Sequence, residues 1–241
     1  MADDEYETEV TLPRFAARHL SSHFSVSFAF GNESERHDIV GLDRIEGFDA
    51  ILVSVRRRAL PADTMKKLEQ FVAAGKPVIG IRTASHAFSL RGKPTPAGTA
   101  VWESWDADVF GGNYSGHYGN DLKVRAVPSG SVFAGPMIAS CESLQPAGSL
   151  YKTSPLASGA VTILKASVDG HAAEPAAWTF VRADAGRTFY TSLGHPGDFE
   201  QPEFEALLVS GIHWACGLPP VSTEMIQAQN ERYVAGKGKQ R

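Results

Sequence analysis

Pro77-Val-Ile-Gly-Ile-Arg-Thr-Ala-Ser-His86 is the stretch that decides the fold. Its apolar run, Val78–Ile81, breaks at a charged residue and turns into a helical pattern. A continuous apolar run of this kind reads as a strand buried on both faces of a parallel α/β sheet. Residues just past the carboxyl end of such a strand face the crevice where these sheets bind ligands. Arg82 stands at that turn. It cannot attack a carbonyl, and it keeps its charge at any working pH.

The pattern continues on both sides. Ala50-Ile-Leu-Val-Ser-Val55 is a second apolar strand. Between the two, Pro61–Ala74 reads as a helix, with a proline at its start, Met65, Leu68, Phe71 and Val72 on one face, and Gly75 as its C-cap. Residues 8–22 form a helical pattern with Thr11 as a cap ahead of Pro13. Phe24–Phe30 alternates as a strand, and Ile45–Asp49 follows a polar loop. The β-α-β-α-β order predicts a mostly parallel, doubly wound α/β sheet. Leu122–Val127, Ala160–Val168, Ala176–Arg182 and Thr188–Ser192 read as further strands, and Pro202–Cys216 as the closing helix. Residues 91–120 read as loops with short helical pieces around Trp102–Phe110, and loops of that length are often functional. The reading is one domain over residues 1–220 and a C-terminal tail over 221–241.

Composition excludes several classes. The chain has 241 residues, 43% of them hydrophobic, and a net charge of −4. Nucleic-acid binding needs clustered basic charge, and Arg56-Arg57-Arg58 is the one basic run before the tail. No apolar run approaches the ~20 residues of a membrane span. The acidic start, Met1-Ala-Asp-Asp-Glu5, lacks the apolar core of a signal peptide, which reads as cytoplasmic. Cys141 and Cys216 form no Cys-x-x-Cys pair, and neither has a base beside it in sequence. No Gly-x-Ser-x-Gly elbow, Walker pattern or Gly-x-Gly-x-x-Gly is present.

The residues left to carry chemistry lie at strand ends and in the glycine-rich loop. Arg82 and His86 leave the elbow four residues apart. His117 sits in Gly111-Gly-Asn-Tyr-Ser-Gly-His-Tyr-Gly-Asn-Asp121, and His195 closes Phe189-Tyr-Thr-Ser-Leu-Gly-His195. An imidazole at the mouth of a sheet serves as base, hydrogen-bond donor or metal ligand. His86, His117 and His195 together form a candidate three-nitrogen site for a divalent metal. His19, His23, His213, His37 and His171 read as packing or surface residues.

At these residues the chain resembles the ThuA-like, trehalose-utilisation family. The blocks are Pro77–Phe88, Gly111–Lys123, Gly148–Pro155, Glu174–Trp178, Tyr190–His195 and Phe199–Phe204, and the likeness spans roughly residues 3–218. The resemblance implies a flavodoxin-like, class I glutamine amidotransferase-like fold. Amidotransferases of that class carry a cysteine nucleophile where this chain has Arg82. The family commonly has Gly-Leu-His-Thr-Ala at the elbow, against Gly80-Ile-Arg-Thr-Ala84 here. Relatives also begin with an apolar strand, so the first strand of the family is expected to be missing. A longer natural start would bring a periplasmic or secreted location into play.

The resemblance implies carbohydrate catabolism, with cleavage of a 3-keto glycoside as the reaction. A C3 ketone acidifies the C2 proton, a base removes it, and the C1 substituent leaves. His195 or His117 would be the base, and Arg82 or a metal would hold the enolate. Asn113, Tyr114 and Asn120 would bind hydroxyls, and Trp102, Trp105 and Tyr118 would stack on sugar faces. A small carbohydrate is the expected partner, with homo-oligomers allowed. The competing reading is a sugar-binding or assembly module without turnover.

Overall fold

The computed structural model describes residues 1–2, 5–31, 34–129, 141, 143–219 and 221–238. Its centre is a six-stranded mixed sheet. The strands are β1 (Ile51–Val53), β2 (Val78–Ile81), β3 (Arg125–Pro128), β4 (Val161–Ser167), β5 (Glu174–Val181) and β6 (Arg187–Thr191), and they lie in the order β1-β2-β6-β5-β4-β3. The helices are α1 (Thr8–His19), α2 (Ala62–Ala73), α3 (Pro202–Ala215) and α4 (Thr223–Gly238).

The sheet is not mostly parallel. β1, β2 and β6 run parallel to one another, while β6, β5, β4 and β3 pair antiparallel. Connection length explains the split. A parallel step needs a crossover of a dozen or more residues, which α2 supplies between β1 and β2. Residues 168–173 and 182–186 are too short for that, so each closes a hairpin. At the second, the Arg182 N–H donates to Gly186 O at 2.9 Å.

Helices cover both faces. Met65, Leu68 and Phe71 of α2 pack with Val78, Trp105, Phe110, Trp178 and Tyr190 on one side. Leu12 and Phe15 of α1, Phe204, Leu207 and Leu208 of α3 and Ile226 of α4 pack with Ile79, Ile81 and Phe189 on the other. Alternation along β2 sends successive residues to opposite cores. Full burial of each such large side chain contributes roughly 1.5–3 kcal/mol. Gly80 lets the layers approach, since a Cβ there would lie 2.5 Å from the Phe110 ring and 2.8 Å from Tyr190.

Several segments depart from the sequence pattern. α1 begins at Thr8, and Thr11 is no cap: its hydroxyl donates to Glu7 O at 3.1 Å. Residues 221–241, set apart as a tail, contain α4. Its Gln229 and Asn230 bond His19 and Glu205, and Ile226 is fully buried. Within the alternating Phe24–Phe30 run, only Phe30 enters a strand pair, with Val40. The rest faces an apolar slot of about 260 Å³ shared with Ala50–Leu52, Leu12, Phe15 and Ile79. Met1 and Ala2 plug one end of this slot: Ala2 bridges in parallel to both Phe30 and Ser54.

Candidate functional site

Three chain segments meet beyond the carboxyl ends of the parallel strands. β1 runs into Arg56–Arg58, β2 into a 3-10 turn Arg82–His86, and β6 into Ser192–His195. The first two are laced together, with the Arg57 and Arg58 N–H groups donating to His86 O and Ala87 O at 3.1 and 2.7 Å. Above them lies a polar cavity of about 140 Å³ lined by Tyr6, Arg56, Arg57, Thr83, His86, Arg91, Tyr114, His117 and Tyr151.

Of the residues singled out in the sequence, His86, His117 and Tyr114 line this cavity. The His86 ring is buried and stacks on Tyr114, with centroids 4.4 Å apart and planes 19° apart. Its Nδ1 is 3.0 Å from the Ser85 hydroxyl. Burial, reinforced by Arg57, Arg56, Arg91 and Arg82, pushes its pKa down to about 2. A ring with that pKa is neutral at working pH and a poor proton acceptor, because an efficient base titrates near the operating pH. His117 is exposed. Its Nδ1 lies 2.7 Å from Tyr118 O, which can only accept, so the neutral ring takes the tautomer with the proton on Nδ1 and the lone pair on Nε2.

Arg82 is central but is not a cavity-lining residue. It is 2% exposed, with its guanidinium 4.2 Å from the Tyr6 ring centroid and 4.8 Å from that of Tyr151. Its Nη1 donates to Ser192 O at 2.9 Å and its Nη2 to the Ser149 hydroxyl at 3.2 Å. Burial alone would lower its pKa; Tyr151, Tyr6 and Asp198 outweigh that, and the net direction is upward. The arginine therefore knits β2, β6 and the Ser149 loop beneath the tyrosines. The direct enolate contact expected of Arg82 is therefore not available to it, and the arginines that line the cavity are Arg56, Arg57 and Arg91.

His195 lies beyond Tyr6, with ring centroids 6.0 Å apart, and does not line the cavity. It caps the turn Pro196–Asp198: Gly197 N–H donates to its Nδ1 at 3.3 Å, and Asp198 accepts the His195 N–H at 2.9 Å. Hence His86, His117 and His195 do not form a three-nitrogen metal set. Among the described residues, no group of three His, Cys, Asp or Glu side chains is placed to hold a metal ion.

The other expected sugar contacts are engaged elsewhere. Asn113 donates to Ser154 O, Trp102 to Asp108, and Tyr118 to Glu174. Trp105 is buried and donates to Ala84 O. Asn120 is exposed outside the cavity. Burial pushes the Cys141 thiol up to about 12, which leaves it inert. Sequence reading missed Tyr6, Thr83, Arg91 and Tyr151 as lining residues, and it took Arg56 and Arg57 only as a basic run. One signal was available: Arg56 and Arg57 directly follow an apolar strand parallel to β2, so they had to share its crevice.

Fold and cavity together define a mixed α/β protein with a polar, arginine-lined cavity at the carboxyl edge of its parallel strands. The chain belongs to the ThuA family, described as trehalose utilisation, whose model matches residues 6–215. Among solved structures it is similar to a ThuA-like protein from Bacteroides uniformis, with a TM-score of 0.58, 14% identity and 89% of each chain covered. It is equally similar to one from Parabacteroides merdae, with a TM-score of 0.58, 17% identity, and 90% of this chain and 89% of that one covered. At such identities the likeness speaks to the fold alone. Among curated proteins, none matches. No helix among the described residues is long and apolar enough to cross a membrane.

Proposed function

We propose that this chain acts in carbohydrate breakdown by eliminative cleavage of 3-keto glycosides, on a flavodoxin-like, glutamine amidotransferase-like scaffold whose nucleophile position is filled by Arg82. The observation that carries the reading is the composition of the cavity wall. It offers imidazoles and guanidinium groups, and among the described residues no Asp or Glu lines it. The usual glycosidase route needs two carboxylates flanking the bond. Elimination next to a ketone needs one base and one cation instead.

In this scheme His117 Nε2 takes the C2 proton of the 3-keto sugar. The electron pair moves onto the C3 oxygen, and Arg57 or Arg91 stabilises that charge. The enolate then re-forms the ketone as the C1–O bond breaks, and the His117 imidazolium returns its proton to the departing oxygen. Water adds to the resulting enone and completes the net hydrolysis. Tyr114, braced by His86, offers a flat face to the sugar ring.

The test is exchange of the C2 proton of 3-keto-glucose with deuterated solvent, followed by NMR, alongside turnover of 3-keto-trehalose. His117→Ala should abolish both and shift Tm by no more than a few degrees, because the residue is exposed. His195→Ala should keep the exchange and lose about 1 kcal/mol of stability with its cap. Exchange that survives His117→Ala would remove His117 as the base. A wild-type protein that binds 3-keto sugars without any exchange would support the binding-module reading.

A further inference from the structure

We infer that the cavity takes an anionic carbohydrate, a sugar bearing a phosphate or carboxylate group, with the anion held among Arg56, Arg57 and Arg91. The inference rests on the carbohydrate reading and specifies its substrate class. Arg56, Arg57 and Arg91 all line a space of about 140 Å³ whose described lining includes no Asp or Glu, with Arg57 also donating through Nη1 to Ser89 O at 3.2 Å. Guanidinium forks match phosphate and carboxylate oxygens in pairs. The whole chain carries a net charge of −4, so this cationic site is a local arrangement rather than a generally basic surface.

Backbone geometry supports a built site. Six non-glycine residues have positive φ among those described, and three of them, Tyr6 (59°), Arg57 (52°) and Arg91 (55°), line this cavity. A fourth, Arg82 (46°), lies beneath it. Left-handed conformations cost non-glycine residues of order 1 kcal/mol or more each, and they gather where function requires them. An open donor is also present. The Thr83 hydroxyl is enclosed at the cavity wall and has no hydrogen-bond partner among the described residues, leaving it for a ligand oxygen. Mutual repulsion of the arginines acts in the same direction: after burial, Arg91 is the largest influence lowering the Arg57 pKa. A bound anion relieves that repulsion.

The test is calorimetric titration of the full chain, at low salt, with glucose 6-phosphate, glucuronate, glucose and inorganic phosphate. Arg91→Gly is the main variant; Arg91 is exposed and glycine suits its φ, so the fold survives. Arg57→Gly is the second variant, checked by circular dichroism. Glucose 6-phosphate or glucuronate should bind at least tenfold tighter than glucose, with the tighter of the two identifying the anion. Each variant should lose about tenfold for the anionic sugar and little for glucose. Glucose binding as tightly as both anionic sugars, or folded variants with unchanged affinity, would overturn the inference. Inorganic phosphate binding as tightly as glucose 6-phosphate would overturn its sugar part. The cleavage reading fails separately: anionic sugars would bind with the expected losses while no 3-keto sugar, neutral or phosphorylated, undergoes C2 exchange.

Discussion

Arg82 shows how one side chain can hold a site together without touching its ligand. Its charge is buried, yet two carbonyls, a hydroxyl and two aromatic faces surround it. Removing the guanidinium leaves its buried carbonyl and hydroxyl partners unsatisfied, which typically costs about 1–3 kcal/mol. Arg82→Ala should therefore lower the urea midpoint by that equivalent, and Arg82→Lys should rescue little, because an ammonium cannot reproduce the fork. Gly148→Ala should mimic part of the loss, since a Cβ there would lie 2.7 Å from Arg82 Nη2. Unchanged midpoints in all three would show that the guanidinium is a bystander. The sequence made Arg82 conspicuous through its place after an apolar strand. Its structural role was not legible, because Ser149, Ser192 and Tyr151 lie 67, 110 and 69 positions away and only the fold brings them near.

At the scale of elements, the π-helical turn Asp106–Phe110 sets a titrating group against the backbone of Tyr114, behind the cavity wall. Asp106 Oδ2 accepts the Tyr114 N–H at 2.7 Å, while its Oδ1 is buried without a partner. Burial raises its pKa to about 7, against the lowering effect of that hydrogen bond. Folding therefore favours its protonated form, and the stabilisation grows as pH falls from about 7 toward the unfolded value of 3.8. His86 acts oppositely. Its lowered pKa gives stability that is complete above 6.5 and lost as pH falls toward 2. The two slopes, each about 1.4 kcal/mol per pH unit, offset one another through the mildly acidic range. Urea unfolding at pH 7 and pH 5 should show wild-type stability gaining about 2 kcal/mol relative to Asp106→Asn on acidification. A difference that does not move with pH would mean that Asp106 ionises normally. This turn was only coarsely legible as short helical pieces around Trp102–Phe110, since its partner Tyr114 lies in the glycine-rich loop with no period of its own.

At the scale of the molecule, the layered α/β plan was legible and the sheet's mixed direction was not read. The apolar strands and α2 announce themselves through period and caps. The directions of β4, β5 and β6 were written in the five or six residues between them, a length that admits only hairpins. Phe24–Phe30 taught the opposite lesson: its alternation is sound, but a strand needs a neighbour, and the apolar slot lies where that neighbour would run. The slot divides the sheet into parts that protect their backbone very differently. Val78–Ile81 is flanked by strands on both edges, as is Thr188–Thr191. Among the described residues no hydrogen bond holds the N–H groups of Ser25–Ala29, and the Leu52 N–H faces the slot. Deuterium uptake read by mass spectrometry should therefore split the fold. Peptides covering β2 and β6 should exchange only through global unfolding, while Ser25–Ala29 exchanges within seconds although it borders the core. Equal protection on both sides would mean that the slot closes in solution. If the split is found, opening of this protein begins beside α1 and leaves the arginine-lined cavity intact until the whole sheet gives way.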